Sequence, residues 1–423
     1  MSKMRFTSQV AWTFATRLFM IFNSVVAGII VAHWLGAEGV GQLAVINVTV
    51  ATIVQLGSFG LPSSNTYFIS QDQERFRTAA INSLMFALGI GSILTIALSV
   101  VASLRPDWFG FISPELIRIA AISIPFQLIT LIGLNILLAV GKVKEFNLLD
   151  LAGQSFVLVN AVGALLVLNR GLGTLVTLNT IASVLVSLVV TSLLVISARS
   201  LVQSKWRGDV AFLRRMIVYG LKFHVSILAG AIMLRADLLV VNHFRGPAEA
   251  GVYSVASQFA LLLMLLPGVI ATLLFPRVTA EQDARGETTC MVTRYTTFIM
   301  FLCCLAAVPF SLLLPVLYGA AFTDATRLLL ILLPGVYLMG LESVLVQHFN
   351  ALGLPRAIPL YWVIALALNL VLVFALVPRF GAQGAAVAST ISYAAIFALV
   401  ALHFHTSTGR TFSEVFVLGG LRG

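Results

Sequence analysis

The sequence predicts an all-α integral membrane protein with twelve transmembrane helices in two six-helix lobes related by an internal repeat. Three observations lead to this fold class. Of the 423 residues, 59% are hydrophobic and 10% are charged, against roughly 25% charged in a soluble domain, and the mean hydropathy is +1.02. Twelve apolar runs have about 20 residues each, enough to cross a bilayer as a helix. Motifs of the first half also return in the second half.

The twelve apolar runs divide into two sets of six. The first six define a predicted N-terminal lobe, residues 1–197, and lie at 10–33, 41–68, 79–104, 116–140, 146–168 and 172–197. The other six define a predicted C-terminal lobe, residues 217–423, and lie at 217–243, 251–275, 291–317, 325–352, 358–377 and 384–403. The longest polar connection, residues 198–216, separates the sets and is the predicted basic cytoplasmic linker.

Basic residues predict the orientation in the membrane. With a cytoplasmic N-terminus, sixteen Lys and Arg residues fall on the cytoplasmic side, and the four that fall outside are Arg105, Arg170, Arg245 and Arg379. Cytoplasmic connections of membrane proteins carry an excess of Lys and Arg, so both termini are expected to be cytoplasmic. The first apolar run has no cleavage-site pattern after it and is expected to remain as a span. The net charge of +10 is explained by this orientation, and no nucleic-acid partner is expected.

Three pairs of short stretches indicate the repeat. Their first members are residues 33–41, 138–142 and 169–173, and their counterparts, about 210 residues later, are 243–251, 350–354 and 378–382. Gly36 corresponds to Gly246 in the first pair. Because six helices per half is an even number, both halves would have the same topology, and the predicted symmetry axis lies along the membrane normal. A substrate is then expected between the two lobes.

Longer motifs occur over essentially the whole chain: LGAEGVGQLAVINVTV, FGLPSSNTYFIS, RADLLVVNHFRGPAEAGVYSVA, LLFPRVT, LLPVLYGAAFTDATRLLLILLP and VPRFGAQGAAVASTIS. With these motifs the chain resembles the polysaccharide biosynthesis flippase family, within the multidrug, oligosaccharidyl-lipid and polysaccharide exporter superfamily. The resemblance implies an alternating-access exporter in the bacterial cytoplasmic (inner) membrane, with a polyprenyl-pyrophosphate-linked glycan as its substrate. The expected partners are membrane lipids and a polysaccharide polymerase with its export machinery. The resemblance does not identify the glycan.

Polar residues on the apolar helices are candidates for substrate binding. Arg17 shares one face of the first helix with small and polar residues, and Arg235 lies in the seventh predicted span. Because guanidinium groups make charge-assisted, often bidentate bonds to phosphate oxygens, we expect these two arginines to bind the pyrophosphate. The residues expected to meet sugar hydroxyls are Asn47, Gln55, Ser257 and Gln258. Each arginine could instead extend its long side chain towards the lipid head groups.

Three intramembrane carboxylates are candidates for coupling transport to an ion. Asp237 lies in the middle of a predicted span, where a carboxylate needs a partner or water. It could bind a coupling cation or pair with a neighbouring arginine. Asp150 and Glu342 are similar candidates with weaker support.

The sequence gives little support to an enzymatic function. There is no phosphate-binding loop, zinc-protease motif or nucleophile elbow, and we expect no catalytic residue, cofactor or metal site. The three cysteines, Cys290, Cys303 and Cys304, fit neither a disulfide framework nor a metal motif. The alternatives are a multidrug or cation antiporter of the same fold and a membrane polysaccharide polymerase. The outer connections are about five to twelve residues long, too short for a polymerase's catalytic lobe. A scaffold without transport would not explain the polar helix faces.

Overall fold

The computed structural model describes residues 3–110, 112–201, 207–281, 283–353 and 355–417, which form helices and short connections without any strand. The helices before residue 202 are α1 Lys3–Gly57, α2 Leu61–Gln71, α3 Phe76–Leu104, α4 Pro114–Ala121, α5 Ile124–Ala139, α6 Val143–Ala161 and α7 Leu172–Leu201. The later helices are α8 Val210–Met233, α9 Ala236–Arg245, α10 Pro247–Leu262, α11 Leu265–Glu281, α12 Glu287–Ser311, α13 Leu314–Tyr318, α14 Thr323–Leu352, α15 Ala357–Thr408 and α16 Phe412–Phe416. A π-helical turn, Val162–Val167, continues α6.

Ten helical segments of the described chain are long and apolar enough to cross a membrane, which makes this a multi-pass membrane protein. Two of them each cover most of two consecutive predicted spans. Ala15–Gly57 has 43 residues and Ala357–Thr408 has 52, whereas about 20 residues suffice for one crossing. Each is interrupted by one non-helical glycine, Gly36 in α1 and Gly381 in α15. These glycines lie where the sequence predicts a connection between consecutive spans.

Glycine conformations repeat along the chain. Gly36 has φ 65° and ψ −173°, and its counterpart Gly246 has φ 87° and ψ 174°, a region open almost only to glycine. The second predicted pair also agrees, because Gly141 and Gly353 both have positive φ, 76° and 114°. The third pair differs. Gly381 has φ 59°, but its counterpart by position is Leu172, and in the first half the positive φ falls on Asn169.

The chain forms two compact units, residues 1–228 and 229–423. The division lies inside α8, C-terminal to the predicted linker. The lobes expected from the sequence, residues 1–197 and 217–423, stay a prediction. Part of that linker is helical, because α7 continues to Leu201 and α8 begins at Val210. Residues 202–206, which include Lys205, lie outside the described residues.

Each unit has one mostly buried membrane helix around which the others pack. In the first unit this is the segment Pro114–Ala139, formed by α4 and α5, which contacts α3 and α7. In the second unit it is α14, which contacts α11, α12 and α15. The surrounding helices expose many large apolar side chains, such as Ile93, Phe301 and Val371, as expected for surfaces that meet lipid.

The first half of α8 packs closely within the first unit. Its Gly220 meets Gly60, at the start of α2, so closely that a Cβ on Gly220 would lie 2.5 Å from the carbonyl oxygen of Gly60. The Ser64 hydroxyl donates a hydrogen bond to the carbonyl oxygen of Met216 at 2.8 Å. The rings of Tyr67 and Tyr219 stack with their centroids 4.2 Å apart. These contacts explain why this part of α8 belongs to the first unit.

Candidate functional site

An ion pair joins two candidate residues in the first unit. Nη1 of Arg17, on α1, lies 3.0 Å from Oδ2 of Asp150, on α6, and the two side chains are 40% and 24% exposed. Further along the same pair of helices, the amide of Asn23 donates a hydrogen bond to the Ser155 hydroxyl at 2.9 Å. The structure therefore brings together two residues for which the sequence suggests separate roles, substrate binding and coupling.

The two other candidates of the first unit lie beyond Gly36. Asn47 is exposed and Gln55 is partly buried, and both belong to the second half of α1. The Gln55 carbonyl oxygen accepts a hydrogen bond from the Ser58 hydroxyl at 2.9 Å, at the end of α1. Among the hydrogen bonds of the described residues, none joins the side chain of Asn47 or Gln55 to the Arg17 and Asp150 pair.

The seventh predicted span is broken at Arg235 in the second unit. Helix α8 ends at Met233, α9 begins at Ala236, and Arg235 between them has the non-helical dihedrals φ −139° and ψ −21°. The Arg235 side chain is exposed. No ion pair found among the described residues includes it. Discontinuous helices are a frequent feature of transporter binding sites because they present charged and backbone groups inside the membrane.

Asp237, two residues after the break, is buried in a network of hydrogen-bond donors. Its side chain is turned into the protein, and only 3% of the residue is exposed. Oδ2 accepts hydrogen bonds from the hydroxyls of Tyr253, on α10, and Ser389, on α15, the latter at 2.8 Å. Oδ1 accepts the backbone N–H of Leu238 at 2.7 Å. Three donors compensate the carboxylate, and Arg235 is not among them.

Ser257 lies beside the same carboxylate. A small cavity is lined by Asp237, Tyr253, Ser257 and Tyr393 together with apolar side chains of α10 and α14. The Ser257 hydroxyl also donates a hydrogen bond to the carbonyl oxygen of Ser254 at 3.1 Å. Gln258, the next residue of α10, is partly buried. The structure thus associates Ser257 with Asp237, a coupling candidate.

Glu342 stands apart from these groups. It lies on α14, only 1% of it is exposed, and its Oε1 has no hydrogen-bond partner. A buried charge without a partner is strongly unfavourable, and the structure gives the charged form of Glu342 no compensating cation among the described residues.

Sequence reasoning missed three buried polar residues, namely Tyr253 and Ser389, which bond to Asp237, and Asn369. Tyr253 and Ser389 lie inside motifs that carry the family resemblance, but nothing in their spacing assigns them to Asp237. Asn369, on α15, is fully buried and neither atom of its amide has a hydrogen-bond partner. A polar residue in the middle of an apolar run was the available signal for Asn369.

A polar cluster ties the C-terminal helix α16 to the second unit. The guanidinium of Arg410 contacts Glu287 at 2.8 Å and Glu414 at 3.4 Å. Glu414 and Thr411 also form a capping box at the start of α16. The pKa of the Glu414 carboxyl is lowered, chiefly because it accepts hydrogen bonds from the backbone and side chain of Thr411. Among the described residues, no group of three or more His, Cys, Asp or Glu side chains could hold a metal ion.

Solved structures identify the class of fold. The lipid II flippase MurJ, in an inward closed conformation, superposes with a TM-score of 0.77 and 16% identity, covering 97% of this chain and 89% of that one. An inward-facing multidrug resistance transporter of the MATE family, in the MOP superfamily, gives a TM-score of 0.73 and 18% identity, covering 92% and 94%. At these identities the likeness concerns the fold alone, which is that of a transporter.

The family follows from the sequence itself. The family model described as "Polysaccharide biosynthesis protein" matches residues 7–282, and the chain belongs to that family. A probable low-salt glycan biosynthesis flippase, Agl15, of Haloferax volcanii is 26% identical over 178 residues, 40% of this chain and 37% of that protein. A putative O-antigen transporter of Shigella flexneri is 26% identical over 184 residues, 42% and 44% of the two chains. These alignments span less than half the length of either relative.

Proposed function

We propose that this protein is a flippase that moves a polyprenyl-pyrophosphate-linked oligosaccharide across the bacterial cytoplasmic membrane by alternating access. The observation that carries the proposal is Arg17, a partly exposed guanidinium on a membrane helix in a fold shared with a lipid II flippase. Arg235, exposed at a helix break, is a second guanidinium for phosphate. Asn47, Gln55, Ser257 and Gln258 are the proposed contacts for sugar hydroxyls.

In the proposed topology the chain crosses the membrane twelve times, and both termini lie in the cytoplasm. Ten apolar segments, two of them interrupted at Gly36 and Gly381, support twelve crossings. The excess of basic residues in the predicted cytoplasmic connections supports the orientation. In this scheme the polar head group crosses through the protein while the polyprenyl tail stays in the bilayer.

Asp237 is the proposed coupling residue because it is buried among hydroxyl donors at a broken helix. Its network contains no lysine or arginine among the described residues, so a proton or a small cation could compensate the carboxylate. Glu342 remains a second candidate. The membrane potential also contributes, at about 2.3 kcal/mol per charge per 100 mV, in the direction that favours outward movement of an anionic head group.

The full-length chain, reconstituted into vesicles, tests the proposal. The vesicles contain a polyprenyl-diphosphate-linked oligosaccharide with a fluorescent sugar, and an impermeant quencher reports the leaflet that the sugar occupies. We expect movement to the far leaflet, slowed about 10- to 100-fold by Arg17→Gln or Arg235→Gln because each removes charge-assisted hydrogen bonds to phosphate. The matched control is Arg105→Gln, which removes an exposed arginine paired with Asp107 outside the membrane segments.

Two results would contradict the flippase proposal, and a third would contradict the role given to the arginines. Export of cationic drugs without movement of the glycolipid would favour the antiporter, for which the superposition with a multidrug transporter is the supporting observation. Lengthening of the glycan would favour a polymerase. Normal glycolipid movement by both arginine variants would remove these arginines from the mechanism.

A further inference from the structure

Among the side chains that the structure describes, one ion pair joins α1 and α6, Arg17 with Asp150. The hydrogen bond between Asn23 and Ser155, on the same two helices, is neutral. On α6 itself, charged residues other than Asp150 are confined to the first turn, at Lys144 and Glu145. Asp150 follows Glu145 by five residues, about 7.5 Å along a helix. The carboxylate therefore lies beyond the charged end of its own helix.

Among the described side chains, the helices that pack on α6 bring no second charged group to Asp150. These are α1, α5, α7 and the π-helical turn. Neither α5 nor the π-helical turn contains a charged residue, and the only one on α7 is Arg199, at its end. On α1 the charged residues nearest to Arg17 in sequence are Arg5 and His33, about 18 Å and 24 Å away along the helix. Arg17 is thus the charged partner that these helices present to Asp150.

The exposure of the pair makes the guanidinium accessible to a ligand. Both side chains are partly exposed, at 40% and 24%, and an ion pair that faces the aqueous lumen of the proposed carrier is weak, on the order of 1 kcal/mol. A diphosphate carries more negative charge than one carboxylate and suits the planar fork of a guanidinium. A diphosphate that reaches Arg17 meets a guanidinium already engaged by Asp150, so the two anions compete for the same cation.

We propose that the Asp150 carboxylate competes with the diphosphate for Arg17. Asp150 pairs with Arg17 in the empty carrier and releases it when the head group binds. This inference rests on the proposed function. It makes Asp150 a positioning residue whose carboxylate compensates Arg17 while the carrier returns without substrate. An uncompensated arginine inside a membrane protein is costly, so the pair favours the return step at the expense of affinity.

Competition also links substrate binding to protonation. Protonation of Asp150 removes the competing charge, and binding of the diphosphate removes the cation that stabilises the carboxylate. By thermodynamic linkage each event favours the other. The diphosphate therefore binds with uptake of a proton at Asp150, and its affinity increases as the pH falls through the range in which Asp150 titrates.

The test measures affinity and transport in the same variants of the full-length protein. Binding is measured in lipid nanodiscs with geranylgeranyl diphosphate as the probe, from pH 5.5 to 8, and transport is measured with the vesicle assay above. For Asp150→Asn we expect about three- to tenfold tighter binding than for the wild type at pH 8, from the loss of a competing pair. This ratio of affinities should decrease towards one as the pH falls. The terminal phosphate of the probe titrates in the same range, and its effect cancels in the ratio. We also expect slower transport, because the empty carrier then holds an unpaired arginine.

The controls separate competition from a structural role. Glu145→Gln changes a carboxylate on the same helix that has no ion pair in the described structure, and should match the wild type in both assays. Arg17→Gln should bind the probe weakly at every pH. If Asp150→Asn does not fold, Asp150→Ser is the second variant, with the same expected result.

Two patterns would overturn the inference. If the folded Asp150 variant binds the probe as the wild type does or more weakly, or keeps the wild-type pH dependence, Asp150 does not compete for Arg17. Transport that is unchanged or faster would remove its role in the return step. Failure of the proposed function looks different, because the wild-type protein itself would then neither bind the probe nor move the glycolipid.

Discussion

The hydroxyl of Tyr253 donates a hydrogen bond to the carboxylate of Asp237 on the neighbouring helix. Both residues are almost completely buried, with 1% and 3% of their surfaces exposed. Ser389 donates to the same oxygen from α15. This carboxylate therefore holds together three helices of the second unit, α9, α10 and α15.

The first prediction concerns these donors. Tyr253→Phe removes a donor and leaves a buried carboxylate oxygen with one fewer partner, which should destabilise the protein by about 1–3 kcal/mol. Thermal unfolding of the detergent-solubilised protein measures the change. Ser254→Ala is the control, because the Ser254 hydroxyl bonds only to a carbonyl of its own helix and its loss should alter the melting temperature little. Equal melting temperatures for Tyr253→Phe and the wild type would contradict the prediction.

The second prediction concerns the contact between Gly60 and Gly220. Gly220→Ala places a methyl group 2.5 Å from the Gly60 carbonyl oxygen, so the two segments must separate, and overpacking of this kind typically costs about 1–3 kcal/mol. Gly89→Ala is the matched control in the same unit, since nothing lies within 4 Å of its added Cβ. We expect a lower melting temperature for Gly220→Ala and no decrease for Gly89→Ala. A decrease of the same size in both would show that close packing is not the cause.

The third prediction concerns the glycine that interrupts α15. Gly381 has φ 59°, and an added Cβ would lie 1.9 Å from Oε1 of Glu249. The same oxygen accepts the backbone N–H of Ala382 at 2.6 Å. Gly381→Ala should therefore combine backbone strain of about 1–3 kcal/mol with the displacement of Glu249.

Gly36→Ala separates these two effects. Gly36 has a backbone conformation close to that of Gly381, φ 65° and ψ −173° against φ 59° and ψ −140°, but nothing lies within 4 Å of its added Cβ, so only the backbone strain remains. The loss of stability at Gly381 should clearly exceed the loss at Gly36, as measured by thermal unfolding. If the two losses were equal, the Glu249 contact would contribute nothing.

The fourth prediction concerns acid pH at the C-terminal helix. Because the pKa of Glu414 is lowered in the folded protein, its stabilising contribution is present above the unfolded pKa, about 4.3, and is lost as the pH falls through the folded value. The protection of residues 411–416 against amide hydrogen exchange, taken relative to the intrinsic exchange rate at each pH, should therefore decrease below about pH 4. In Glu414→Gln this protection should already be lower at pH 7 and should decrease less in acid. Glu115→Gln, an exposed carboxyl of the first unit, is the control. Parallel acid profiles for the wild type and Glu414→Gln would contradict the assignment to Glu414.

The sequence predicted the parts of the fold that depend on local patterns. Apolar length located the membrane segments, and the repeated turn motif correctly paired Gly36 with Gly246, which share one unusual backbone conformation. The motif also paired Gly141 with Gly353. It did not indicate Gly110 and Gly319, which have positive φ of 64° and 102° without an obvious match in their surrounding residues.

The partners of the candidate side chains could not be predicted in the same way. Arg17 and Asp150 are far apart in sequence, and helical periodicity gives the face of each residue but not the helix that this face meets. Asp237 could be recognised as a buried carboxylate, but its donor Ser389 lies 152 residues away. The roles assigned to these residues therefore stay predictions.

The break of the membrane helix at Leu234 and Arg235 left no signal in the sequence. Neither residue is proline or glycine, the usual causes of an interrupted helix. Here Leu234 and Arg235 form a turn in which the Arg235 N–H donates to the Ile232 carbonyl oxygen, three residues back, at 3.0 Å. A span can thus be interrupted without a proline or glycine at the break.

This interruption has a consequence for mutational studies of the protein. Where α8 ends and α9 begins, carbonyl and N–H groups of the main chain lose their intrahelical partners at a depth where a continuous helix would have used them all. Such main-chain groups can bind a polar ligand, but they do not change when a side chain is substituted. Alanine scanning of this region would report side chains such as that of Arg235 but not these main-chain groups, whose contribution only the replacement of individual amides by esters would reveal.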